Sequence, residues 1–442
     1  MKIHYKDTIK KLVLLLMASL LLAFGSNWYT VQEKEQWQAG SEELIWNRIS
    51  NAMENGLWAD GGFIGWVKSV QGESTDFPTV YEKGIPGGSD FSVYDRQVGL
   101  QGTVGAAFAM AAKRLGVSAY FVQRILWITT TGLMIFMLLL LAKWAYFEWG
   151  WAAAAGMLAC LVFAPWMQRS VANIYWVIWT MTAPMVVTAY WGYCVKRKKH
   201  LAKGLAEAFL FAMILVRFFC GYEFTTTVML ASELPILYYF LQADTAQERK
   251  NWVWIAFKIG VLELAAFALS FGILGLQNMA YRHTDFVTAM NTVIDAAKFR
   301  TGSFTEMGEV AGYITDSAII ETVQNATGWS VLKQYLTSEE EIFGSFDFRR
   351  LLVVTMFVLA IKGILCKTGW KAICREELFL LATTIPAISW YYIGYGHAVF
   401  HFHVDYILWD IAFLPLGVAL LFKACGELYR HYKNNSKELK AA

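Results

Sequence analysis

Apolar residues in this chain are gathered into long blocks, without the strict alternation of an exposed sheet. Ten blocks, near 12–29, 125–142, 149–166, 174–193, 204–222, 224–241, 252–276, 351–366, 378–395 and 406–425, approach the roughly 20 residues that a helix needs to cross a bilayer. The pattern predicts an all-α integral membrane protein with about ten transmembrane helices. A first module would occupy 1–276 and include a long outer loop over 30–116. A second long loop would cover 277–350, and the last helices 351–442. Val98 to Gly116 is apolar enough to count as an eleventh span. Counting it would reverse everything downstream and expel Lys196, Arg197, Lys198 and Lys199 to the outer face, so it reads as a helix at or dipping into the outer interface.

Charge orients this frame. The N-terminus, the "KRKKHLAK" segment, Arg249 with Lys250, the stretch from Lys367 to Arg375 and the C-terminal "RHYKNNSKELK" are basic, which puts all of them, and both termini, in the cytoplasm. The two long loops then face outward and are rich in acids. The first block has the length of a signal-peptide core, but it extends through Trp28 and Tyr29 with no A-x-A-like site following, which reads as a retained span. A hydrophobic fraction of 57% with only 17% charged residues fits a bilayer protein and argues against a nucleic-acid binder. The six cysteines all lie in or beside apolar blocks, so neither a disulfide framework nor a cysteine metal site is expected.

Within the first loop, "SEELIWNRISNAMENG" (Ser41 to Gly56) opens on two adjacent acids and continues with Ile45, Ile49, Ala52 and Met53 on one helical face. Ser41 suits an N-cap, and Glu42 and Glu43 suit the first turn, where acids complement the helix dipole. The reading is an amphipathic helix on the membrane surface. The two acids point about 100° apart, so one faces a cavity while the other caps the helix or meets solvent.

A first span followed by an outer loop that opens with an acidic pair and an "R-x4-M" helix ending at Gly56 resembles the polyprenyl-phosphate-dependent GT-C glycosyltransferases. These include protein O-mannosyltransferases and the lipid A aminoarabinose transferase. The likeness continues from Tyr94 to Phe136, where Gly99 to Gln101, Leu115 to Gly116 and Arg124 stand at the family's turn, break and pre-span arginine. It reaches "NIYWVIWT" and "GYEF" as well, and covers about the N-terminal half. The family's Pro-Pro pair is absent, and the leading acid is Glu where many members have Asp. The resemblance implies a GT-C-like fold and makes the acid opening the juxtamembrane helix catalytic, hence Glu42 with Glu43 as its alternative. The implied activity is inverting transfer of a sugar from a polyprenyl-phosphate donor to an extracytoplasmic glycan, lipid or polymer of a bacterial envelope.

Such a reaction needs a carboxylate to take the acceptor's proton and cations to balance the departing phosphate. No general acid is required, because phosphate already leaves well, and no cofactor is expected. Asp95, Gln97 and Gln101 near the "QVGLQG" segment, Arg169 and Asn173 in a short outer loop, Arg217 and Glu223 near "GYEF", and Arg282 and Arg300 in the second long loop are the candidate substrate-binding residues. His397, His401 and His403 of "HAVFHFH" complete the set. The first two are one helical turn apart, a spacing suited to phosphate or lipid-headgroup contact. A divalent metal there is the less favoured alternative, and an interfacial aromatic-like belt is the plain one. Arg217 and Glu223 also suit a structural ion pair. Glu233, Glu263 and Asp410 within predicted spans support a rival reading, a transporter or flippase of lipid-linked or small polar substrates. An envelope polysaccharide polymerase or ligase is a third.

Overall fold

The computed structural model describes residues 11–25, 39–68, 90–94, 99–199, 204–310, 314 and 316–441. The chain is 79% helical and all-α in class, with two small antiparallel ladders, Gly65–Val67 with Phe91–Val93 and Glu341–Phe343 with Phe346–Asp347. Each of the ten apolar blocks carries helix. Among the described residues, two helices are by themselves long and apolar enough to cross a membrane, Ala119–Trp149 and Ala246–Arg282. The pair Asp405–Ile411 and Phe413–Ser436, bent by 45°, makes a third. The other blocks form shorter or broken helices, such as Lys11–Gly25 and Trp151–Phe163, or Trp370–Ala382 followed by Ile385–Ile393.

Ala119–Trp149 packs on both Trp151–Phe163 and Trp179–Lys196, and Trp151–Phe163 lies along the C-terminal helix Phe413–Ala441. Trp179–Lys196 in turn packs on Leu205–Cys220 and Thr225–Gln242, while Ala246–Arg282 flanks these last two. Leu138, Leu141, Trp144, Met181, Leu408 and Trp409 fill the main core between them. Helices of the 277–350 region begin on side-chain caps: Asp285 accepts from the amides of Val287 and Thr288, Asp316 from Ala318 and Ile319, and Asp347 from Arg350.

The bundle has two distinct poles. At one, Arg197 meets Glu148 (4.0 Å) and Arg375 meets Asp244 (3.2 Å), while Lys362 and Lys423 share Glu376 and Glu427. Arg197 and Arg375, from two of the basic segments, thus lie at this end, where Glu148, Arg375, Glu376 and Lys423 line one polar cavity. The turns at 173–178 and 221–224, together with the 395–405 stretch, gather at the other.

Gly396 shows how tightly that second pole is closed. A methyl group there would collide with the carbonyl of Phe299 and crowd the backbone of Arg300 and Gly302 at the end of helix Phe286–Thr301. Gly396→Ala is expected to destabilise by about 1–3 kcal/mol, the usual cost of overpacking. Gly260→Ala, with nothing within 4 Å of the added carbon, is expected to be neutral or stabilising by up to about 1 kcal/mol. Thermal unfolding of the purified variants measures both, and equal midpoints would contradict the close approach.

Candidate functional site

The helix Ala39–Asn55 carries the acidic pair. It starts two residues before Ser41 and is enclosed on every side, since Glu42 through Met53 are all buried. This corrects the expectation of a helix lying on a surface with one face wet. Its polar residues are occupied inside the protein: Asn47 donates to the carbonyl of Gly65 (3.1 Å), Asn51 to Asp60 (2.8 Å), and Lys113 covers the Met53 carbonyl (3.0 Å). Arg48, 1% exposed, donates to the carbonyls of Leu100 (3.1 Å) and Gln101 and to the Thr103 hydroxyl (2.9 Å). Burial pushes its guanidinium down to about 9. Arg48 was not among the sequence candidates. The available signal was its place one turn from Ile45, on the buried face of the helix.

Glu42 is 5% exposed, and its Oε1 accepts the backbone N–H of Ile174 (2.8 Å). Glu43 is also buried, at 4%, so it meets no solvent as was expected of the second acid. Its Oε1 has no hydrogen-bond partner among the described residues, and burial pushes its carboxyl up.

The turn that receives Glu42 leads directly to a charged cluster. Asn173 Oδ1 accepts the amides of Tyr175 (2.9 Å) and Trp176 (3.0 Å), and the Trp176 carbonyl accepts Arg217 Nη1 (3.0 Å). Arg217 Nη2 donates to the backbone carbonyl of Glu223 (3.0 Å), so the expected side-chain ion pair between these two is instead a main-chain contact. The Glu223 carboxylate is held by Gln101 Nε2 (2.9 Å) and Arg300 Nη2 (3.4 Å). Burial alone would raise this carboxyl, but the charges of Arg300 and Arg217 hold it below its ordinary range.

Backbone strain concentrates at this cluster. Val177 (φ 45°) and Phe224 (φ 64°) are both left-handed, a conformation that a β-branched or bulky residue rarely adopts. Trp176 stacks on Phe224 at 5.1 Å, locking the two turns face to face.

His397 packs edge-on against Phe224 and Trp390 and stacks on His401 at 3.9 Å. Its Nδ1 lies 3.7 Å from Asp405 Oδ2. Burial, with Arg300 adding to it, pushes His397 down to about 3. A neutral imidazole therefore stands beside the Glu223–Arg300 pair at neutral pH.

Two apolar cavities flank the cluster. The first, about 170 Å³, is walled by Ile45, Phe108, Leu126, Leu133, Ile174 and Cys220, among others. The second, about 180 Å³, is walled by Tyr222, Phe267, Phe271, Val293, Trp390 and Arg300, among others. Cys220 lines one and Tyr222 the other, so the Gly221 turn is the partition.

Glu42, Gln101, Asn173, Arg217, Glu223, Arg300, His397 and His401 thus form one connected site. Arg169 lies over the Trp166 ring (5.3 Å), Arg282 reaches towards Asn278 (3.5 Å), and His403 is exposed with its ring 6.3 Å from that of His401. Asp95 and Gln97 lie outside the described residues. Among the described residues no group of three or more metal-ligating side chains is present. Glu263 accepts the Ser232 hydroxyl from the neighbouring helix, and neither it, Glu233 nor Asp410 lines these two cavities. No protein-family model, curated protein or solved structure matches the chain.

The His397 environment makes a prediction for stability. In the unfolded chain the imidazole takes up a proton below pH about 6.5, whereas in the folded protein it stays neutral down to about 3. Stability is therefore lost as pH falls through that window, by about 1.4 kcal/mol per pH unit for this one proton. Denaturation of His397→Gln between pH 4.5 and 6.5 should show an acid-side slope shallower than wild type by about one proton. An unchanged slope would assign the effect to another group.

Proposed function

We propose that this chain is an integral membrane enzyme of the bacterial plasma membrane, with cytoplasmic termini and an extracytoplasmic site, and that it is an inverting glycosyltransferase using a polyprenyl-phosphate sugar donor. The observation that carries the reading is the position of Glu42. A buried carboxylate is anchored on the Ile174 amide, Ile174 itself walls an apolar cavity, and two buried arginines follow within the same hydrogen-bonded cluster. Supporting it are the resemblance of the N-terminal half to GT-C enzymes and the place of Arg197 and Arg375 at the opposite pole.

The chemistry assigns the two sides. A base must reach the acceptor, and a cation must reach the donor phosphate. Arg300, in the wall of the second cavity, suits the phosphate, with the prenyl chain in the apolar slot beside it. Glu42 serves the acceptor. The acceptor oxygen forms its bond to the anomeric carbon as the bond from that carbon to the phosphate oxygen breaks. The electron pair leaves on polyprenyl phosphate, and the acceptor's proton passes to Glu42. Attack opposite the leaving group inverts the anomeric centre. Gln101 donates to the Glu223 carboxylate and Arg217 to its backbone carbonyl, which fixes that carboxylate beside Arg300 and so orients the guanidinium at the cavity wall.

Glu42→Gln retains an oxygen for the Ile174 amide and is expected to fold. It should lower transfer by about 10²- to 10⁴-fold, the range for losing a general base. Glu43→Gln, which removes a group with no tie to the cluster, should change transfer less than tenfold, on the order of 1 kcal/mol. Release of polyprenyl phosphate and mass spectrometry of envelope lipids and glycans provide the readout. Wild-type transfer by the Glu42 variant would refute the mechanism.

A further inference from the structure

Two separate apolar cavities meet one charged cluster, whereas a donor lipid needs only one. Resting on the reading above, we infer that the acceptor is also a lipid: a hydroxyl-headed, uncharged amphiphile, such as a glycosylated diacylglycerol, whose chain fills the cavity beside Glu42.

Three features point this way. The cavity wall is almost wholly apolar, with Val104, Phe108, Leu126 and Leu133 presenting hydrocarbon and only Thr129 and Thr130 offering hydroxyls. That lining suits an acyl chain and offers a peptide or a polymer glycan few partners for its polar groups. Its inner end is also the catalytic end, because Ile45 is one helical turn beyond Glu42 and Ile174 both lines the cavity and donates to the carboxylate. Finally, the charges differ across the partition. The cavity beyond Gly221 has Arg300 in its wall, whereas the nearer one has no charged residue in its wall and adjoins Glu42 through Ile174, so it offers an anionic headgroup no cation and a hydroxyl an acceptor. Two chains on either side of Gly221 would bring one headgroup to the base and the other to the arginine. Gly221 has φ 141°, and a Cβ there would collide with the Glu223 carboxylate, so the partition is as thin as a backbone permits.

The test uses the full chain in nanodiscs with three diazirine-tagged probes: farnesyl phosphate, a glucosyl diacylglycerol and phosphatidylcholine, with adducts mapped by mass spectrometry. The glucosyl lipid is expected to label Phe108, Leu126 and Leu133, and farnesyl phosphate to label Phe267, Phe271 and Val293. Leu133→Trp should reduce the first labelling by about tenfold, the effect of about 1.4 kcal/mol, and Ala297→Trp only the second. Labelling of the unaltered protein decides the matter if either variant fails to fold. The inference is overturned if phosphatidylcholine labels Leu133 as strongly as the glucosyl lipid, which would make the cavity a resting place for bulk lipid. It is equally overturned if farnesyl phosphate takes the Leu133 cavity, in which case the glycosyltransferase reading survives with the sides exchanged. Failure of farnesyl phosphate to label either cavity removes that reading instead, and leaves the glucosyl lipid's adducts as evidence for a lipid site alone.

Discussion

The grip on Glu223 is the interaction on which the site depends. One residue, withdrawn from water, joins pieces that are far apart in sequence: its carboxylate takes Gln101 from the first loop and Arg300 from the second, and its backbone carbonyl takes Arg217 from a bundle helix. A buried carboxylate is tolerable only where opposite charge and hydrogen bonds replace its hydration. Leaving such a group without its partner costs about 3–5 kcal/mol. Each contributing segment is therefore held in register by the others. Arg48 extends the same logic to the helix Ala39–Asn55, because the carbonyls it grips belong to Leu100 and Gln101, the residue that reaches Glu223.

Strain sits where this grip is tightest. Val177 and Phe224 occupy left-handed backbone on the two turns that Trp176 and Phe224 stack together. Conformations of this kind cost about 1–3 kcal/mol each and persist where surrounding contacts over-determine them. Here the contacts are identifiable. Asn173 fixes the amides before Val177, and Arg217 ties the carbonyl of Trp176 to that of Glu223 across the gap between the turns. The result presents the Ile174 amide to Glu42 while keeping Cys220 and Tyr222 in different cavity walls.

Much of this was legible in the sequence, and the remainder failed for definable reasons. The apolar blocks gave the helices, whereas the ion pairs that close their ends, Arg197 with Glu148 and Arg375 with Asp244, join segments that no sequence pattern paired. Eight of the candidate side chains do converge, because polar residues at the ends of apolar helices have few other places to be satisfied. Arg48 escaped because an arginine in an amphipathic pattern reads as surface, and only the Thr103–Arg114 helix and the 99–103 turn folding over it reveal the burial. Glu43 was misplaced for the same reason, since helical geometry separates two neighbouring acids by angle but does not say that both directions are roofed. The Arg217–Glu223 contact was anticipated with the wrong atoms, because proximity in sequence specifies neither main chain nor side chain as the acceptor.

Enclosure of the acidic helix also bears on catalysis. For the proposed reaction, an exposed carboxylate at a membrane surface would be solvated and would gain little from its position, whereas one anchored on a backbone amide inside a low-dielectric shell needs little solvent reorganisation before it accepts a proton. The same shell makes Glu43 costly to ionise, so of two adjacent acids the environment sets apart one anchored on an amide and one disfavoured as an anion. That asymmetry follows from the folding of the loop over Ala39–Asn55 and requires no difference in chemistry between the two residues. It gives a physical reason why, in the reaction proposed above, an acidic pair indistinguishable by composition would supply a single base.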